Sequence, residues 1–123
     1  MTKIGVLVVL LAALVPSCAL NKEIPEDMSA KILILNGQTE FSRGRYRRSI
    51  RYYQAVIDRY GDDPALYIEA TYEIAHIYMK KKKYDRAEPL LNEILNIYPR
   101  FDPGTLPGAF ERLAQIELEK IPR

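Results

Sequence analysis

The chain has 123 residues, of which 28% are charged, with Lys+Arg at 18 against Asp+Glu at 16; this allows one small domain and gives no global pull toward nucleic acid. A single cysteine excludes an intrachain disulfide and a Cys-cluster zinc site, and a single histidine, His76, leaves little from which to build a metal centre or a Ser/His/Asp triad. Long stretches of Ala, Leu, Ile, Glu, Lys and Arg with few glycines read as all-α.

The N-terminus carries one positive side chain, Lys3, followed by the apolar run "IGVLVVLLAALV" from Ile4 to Val15. A helix needs about 20 apolar residues to cross a bilayer, so this run has the length of an export signal rather than a permanent span. Pro16 and Ser17 break it, Cys18 follows, and the chain then turns polar through "ALNKEIPED".

Val15, Ser17 and Cys18 resemble the cleavage motif of a bacterial lipoprotein, with Pro16 departing from the usual small residue. The resemblance implies that residues 1–17 are removed, that Cys18 carries the lipid, and that 18–26 form a short tether. Two or three acyl chains would hold the protein stably at a membrane. Ala19 after the cysteine favours the outer over the inner membrane, with the folded part facing the periplasm.

Behind the tether the residues predict five helices. The first runs from Asp27 to about Ser42, and Arg43-Gly44 is a tight connection to the second, Arg45 to Tyr60. "GDDP" stops that helix and starts the next with Asp63 as cap and Pro64 in the first turn. Pro64 to about Lys81 is the third helix, Lys82-Lys83 a turn, and Tyr84 to Ile97 the fourth. The Pro/Gly-rich "YPRFDPGTLPG" ends it. The fifth, Gly108 to Lys120, is expected to be amphipathic through Phe110, Leu113, Ile116 and Leu118.

These helices repeat. Offset by 38 residues, Tyr46 falls on Tyr84, Arg48 on Arg86, Ser49 on Ala87, Tyr53 on Leu91, Val56 on Ile94, Tyr60 on Tyr98 and Gly37 on Ala75, without gaps. In the second unit Ile74-Ala75, Tyr78, Tyr84, Ala87, Leu91, Ile94 and Pro99 resemble the tetratricopeptide repeat, a pair of helices A and B. Small residues stand where paired helices approach closely, and large ones fill the gaps beside them. In the first unit Asn36-Gly37, Gly44, Tyr46, Ser49, Tyr53 and Val56 fit, while Glu40 stands where a tyrosine is usual. The fifth helix, with Phe110 and Leu113-Ala114, reads as a capping helix. The long period, Tyr-Pro at the end of helix B and the preceding lipoprotein motif together resemble the outer-membrane assembly lipoproteins of the BamD type.

That resemblance implies a protein-binding groove along the A helices, and it carries groove positions onto Lys31, Ile34, Gln38 and Phe41, then Glu69, Tyr72, His76, Met79 and Lys80, then Glu111 and Gln115. A second feature is charge. Arg43, Arg45, Arg47, Arg48 and Arg51 surround one A–B turn, and Lys80, Lys81, Lys82 and Lys83 the next. Stacked repeats put both turns on one rim, a basic edge suited to anionic lipid headgroups or an acidic partner; Asp58, Asp62, Asp63 and Asp102 fall on the other.

There is no Gly-rich phosphate loop, no metal-ligand spacing and no nucleophile beside a base. The expectation is a non-enzymatic adaptor without cofactor or nucleic-acid partner, lipid-anchored in the cell envelope and holding an envelope protein, with outer-membrane protein assembly as the first reading. The alternative is an accessory lipoprotein of a secretion, pilus or solute-transport complex, or a ligand-binding lipoprotein. A core of two repeats is small, so pairing of two chains along the last helix is a further expectation.

Overall fold

A computed structural model describes residues 22–123. The stretch read as an export signal, and Cys18 with it, lie outside the described residues. Those described fold into five helices: α1 (Ala30–Ser42), α2 (Tyr46–Tyr60), α3 (Pro64–Lys80), α4 (Tyr84–Ile97) and α5 (Gly108–Glu119), with a short 3-10 turn at Tyr98–Arg100. None of these helices is long and apolar enough to cross a membrane.

Each boundary has a local cause. The Ser29 side chain accepts from the Ile32 amide, so α1 starts three residues later than Asp27 suggested. Asp63 accepts from the Ala65 and Leu66 amides, and Pro64 occupies the first turn of α3. The two A–B turns are the same object. Gly44 N–H donates to Phe41 C=O and Arg45 N–H to Glu40 C=O, each at 2.9 Å; Lys82 N–H donates to Met79 C=O at 3.0 Å and Lys83 N–H to Tyr78 C=O at 2.8 Å. This is the Schellman ending, which needs one residue in the left-handed region. Gly44 supplies it at φ 71° and Lys82 at φ 56°.

Consecutive helices pack pairwise, and α1 with α3 and α3 with α5 also touch, so the A helices stand side by side. The first core gathers Leu33, Tyr53, Val56, Ala70, Ile74 and Ile77. The second gathers Ile68, Tyr72, Ala75, Ala87, Leu91, Ile94 and Ala114. The small residues act as the repeat pattern required. Tyr53 lies against Gly37, and the Ser49 hydroxyl donates to the Gly37 carbonyl at 2.7 Å.

One point differs from the sequence reading. Leu113 and Ile116 are 38% and 41% exposed; α5 instead buries Ala114, Glu117 and, just beyond its end, Ile121. The helix is set by its contact with α3 and α4, which turns Ala114 inward and Leu113 outward. Ile32 and Leu35 are likewise exposed at the other end of the stack, on α1. Residues 22–28 lie along α2: Arg59 donates to the carbonyls of Pro25 (2.6 Å) and Ile24 (3.0 Å), and the Tyr60 hydroxyl to Met28 C=O (2.9 Å).

Candidate functional site

The A helices are spaced by their small residues, and this brings five rings into a line. Tyr46 and Phe41 have centroids 5.4 Å apart, Phe41 and His76 5.6 Å, His76 and Tyr72 5.9 Å, and Tyr72 and Phe110 5.6 Å. The row runs from Tyr46 on α2 across α1 and α3 to α5. Its His76–Tyr72 step is near-parallel, at 16°, and the others are tilted, the arrangement ring quadrupoles favour. Phe41, His76 and Phe110 are half-buried, whereas Tyr72 is nearly enclosed.

Of the groove residues read from the sequence, Phe41, Tyr72 and His76 therefore meet. Ile34 and Met79 are half-buried beside the two cores, and Gln38 and Lys80 are exposed. Lys31 and Gln115 are exposed, Glu69 and Glu111 half-buried.

Two glutamates escaped the sequence reading. Glu117 is buried and its Oε1 lies 3.3 Å from His76 Nδ1 and 3.2 Å from Lys120 Nζ. The His76 contact is poorly aligned for a hydrogen bond. Glu73, half-buried on α3, sits beside Glu69. Burial holds the Glu73 carboxyl above the usual carboxylate range, and the Glu69 charge adds to this; Glu69 is itself raised by burial. The Tyr72 hydroxyl is pushed up to about 12, first by burial and then by Glu117 and Glu73. A signal for Glu73 existed: it follows Glu69 by one helical turn.

The basic edge is partly as read. Glu40 lies 3.5 Å from Arg43, 3.7 Å from Arg45 and 3.9 Å from Arg48. The sequence showed no acid among the arginines; folding slides Glu40 beneath three of them. Arg48 occupies the place of Arg86 in the second unit, where the guanidinium stands 5.8 Å over the Tyr78 ring. A cation–π contact in one repeat is an ion pair in the other, which accounts for Glu40 where a tyrosine is usual. Arg51 donates to the Lys22 carbonyl at 3.2 Å. The two turns do converge. Lys83 holds the exposed Lys81 below the ordinary lysine range, and Arg47 and Arg86 add to it. A 510 Å³ cleft there is lined by Gly44, Arg45, Tyr46, Arg47, Arg48 and Lys81; Lys82 and Lys83 are exposed nearby in sequence.

A separate 640 Å³ surface cleft, which the sequence did not single out, includes Tyr67, whose hydroxyl donates to Glu93, together with Asn92, Asn96 and Arg100. No group of three or more metal-ligand side chains occurs among the described residues.

The comparisons with known proteins agree with this geometry. The chain is 31% identical over 101 residues to an uncharacterized protein of Treponema pallidum (strain Nichols), covering 82% of this chain and 40% of that one. It is 30% identical over 113 residues to the tetratricopeptide repeat and J domain-containing co-chaperone DNJ1 of Fusarium oxysporum f. sp. lycopersici, covering 91% of this chain and 20% of that one. The chain thus spans well under half the length of these relatives. No solved structure matches it at comparable significance. The tetratricopeptide repeat family matches residues 30–103, from the start of α1 past the end of α4. With its Gly37–Tyr53 close approach, its buried Ala75 and Ala87 and its paired left-handed turns, the chain belongs to the tetratricopeptide repeat family, whose members bind other proteins.

Proposed function

We propose that the protein is a membrane-anchored adaptor of the bacterial cell envelope that holds an extended or helical segment of a partner protein against the row Phe41–His76–Tyr72–Phe110. The observation that carries this reading is the row itself: half-buried Phe41, His76 and Phe110 on three separate helices, joined through the nearly enclosed Tyr72, offer apolar area at little side-chain entropy cost. Val15, Ser17 and Cys18 support lipid anchoring, and the converging basic turns suit a rim that faces anionic headgroups. Anchoring and rim contact would reinforce one another. Outer-membrane protein assembly is the role we favour, from the resemblance to the BamD-type lipoproteins.

The test is site-specific photocross-linking in intact cells. A cross-linker at Gln38, in the groove, is expected to capture one envelope protein, and Phe41→Ala to abolish the product. The same cross-linker at Gln54, on the exposed outer face of α2, should capture nothing. Recovery of a β-barrel assembly component would support the assembly role. Recovery of a secretion, pilus or solute-transport component would assign the adaptor to that complex, and equal capture from both positions would end the groove reading.

A further inference from the structure

Residues 22–28, ahead of α1, are tied down along α2. Arg59 donates to the carbonyls of Pro25 and Ile24, the Tyr60 hydroxyl to that of Met28, and Arg51 to that of Lys22. Ile24 and Met28 also pack against the first core. Arg59 and Tyr60 close α2, whereas Arg51 stands in its second turn. Followed backwards, this strap therefore runs toward the start of α2. Arg51, which holds Lys22, is one helical turn from Arg47 and Arg48. Cys18 is four residues before Lys22, a span of at most about 14 Å.

That end of α2 opens on the 510 Å³ cleft between the two A–B turns, where Lys81 of the second turn joins Arg45, Arg47 and Arg48 of the first. Glu40 serves Arg43, Arg45 and Arg48. Arg47, Lys81, Lys82 and Lys83 are exposed, and no described acid pairs with them, Asp85 in the first turn of α4 included. The far end of α2 has the opposite sign, with Asp58, Asp62 and Asp63 all exposed. An anionic surface is thus attracted to one rim of the stack and repelled by the other. The strap leads the chain toward the attracting rim.

We infer that the docked strap and the basic cleft form one membrane-facing surface: the strap delivers Cys18 to the rim, and the cleft takes the phosphates of anionic lipid headgroups. This rests on the reading of Cys18 as lipid-bearing and adds the orientation in which the domain is held. With anchor and cleft so close, binding of one raises the effective concentration of the other. Phe41 stands in the last turn of α1, at the basic rim, and Phe110 in the first turn of α5, toward the opposite rim. The rim-down orientation therefore sets the aromatic row rising from the membrane surface, with Phe41 nearest the bilayer and Phe110 farthest from it.

The test uses the full chain, produced in a bacterial envelope, purified in detergent and reconstituted into vesicles of phosphatidylethanolamine and phosphatidylglycerol. A photocross-linker is placed at Ser42, beside the first A–B turn, or at Asp62 on the opposite rim, both exposed. Ser42 is expected to yield lipid adducts and Asp62 none. Arg47→Gln with Lys81→Gln should lower the Ser42 yield by about fivefold for each charge removed, the usual worth of a cation at an anionic surface. Phosphatidylcholine in place of phosphatidylglycerol should lower it as well. Arg51→Ala with Arg59→Ala frees the strap and should bring adducts from both positions. The two glutamines replace exposed cations without acidic partners, so a lower yield would not reflect unfolding. Equal yields from Ser42 and Asp62 in the parent, a Ser42 yield indifferent to the glutamines and to phosphatidylglycerol, or a freed strap without effect would overturn the inference and leave the anchor standing. A chain that carries no acyl group on Cys18 by mass spectrometry and does not stay with the vesicles would overturn both.

Discussion

The Tyr53 ring lies so close under Gly37 that a methyl group at residue 37 would stand 2.7 Å from its Cζ. That contact sets how near α1 and α2 approach, and through them where Phe41 meets His76. Gly37→Ala is therefore expected to destabilise the fold by about 1–3 kcal/mol, the usual cost of overpacking. Tyr53→Phe removes an enclosed, unpartnered hydroxyl and should leave stability unchanged or slightly higher. Urea denaturation of both variants checks the pair; a harmless Gly37→Ala would mean the helices are not held at this distance.

Lys82 adopts the left-handed conformation that its repeat counterpart Gly44 adopts without strain. Lys82→Gly should raise stability by about 0.5–1 kcal/mol and Gly44→Ala lower it by a similar amount. Opposite shifts in melting temperature are the expected outcome. Equal signs would show that the turns are not equivalent.

Glu40 is the shared countercharge of Arg43, Arg45 and Arg48, all three partly in solvent. Glu40→Ala should cost about 1–2 kcal/mol, most of it from the enclosed side chain and little from the exposed arginines. Glu40→Tyr should recover part of that loss, because Arg48 can then stack as Arg86 does on Tyr78. Chemical denaturation of the two variants side by side measures the difference.

Burial raises the Glu73 carboxyl, and the Glu69 charge adds to it. A carboxyl that holds its proton more tightly in the folded state contributes stability below the unfolded value of about 4.3, and loses it as pH rises through the raised folded value. Glu73→Gln is thus expected to be more stable than the parent at pH 7, with the gain shrinking as pH falls through the carboxylate range. Thermal melts from pH 3 to pH 8 would show it. A gain independent of pH would mean the carboxylate is not penalised.

Leu113 and Ile116 face solvent on α5, whereas Ala114 is fully enclosed against the second core. Leu113→Gln and Ile116→Gln should each change stability by less than about 0.5 kcal/mol. Ala114→Leu should cost about 1–3 kcal/mol by overpacking. The reverse ranking would rotate the helix to the face its apolar pattern first suggested.

Helix boundaries and the repeat were legible because they depend on neighbours in the chain. Asp63-Pro64 starts a helix, Gly44 ends one, and the offset from Tyr46 to Tyr84 or from Gly37 to Ala75 needs no fold to be seen. The face of α5 was not legible, because Leu113 and Ala114 are adjacent and either could point inward until α3 and α4 are in place. Phe41, Tyr72 and His76 could be named from the repeat pattern, but that they form one row depends on the spacing between α1, α3 and α5.

Charge followed the same division. The sequence by itself determined that Arg43 to Arg48 carry no acid among them, and so that a basic turn exists. Only the tertiary structure decided that Glu40 would lie beneath three of those arginines, that Arg51 would reach the Lys22 carbonyl, and that Glu69 and Glu73 would sit half-buried on α3. Local propensity acts over one helical turn, whereas Coulomb forces and desolvation act through space, between residues that only packing brings together.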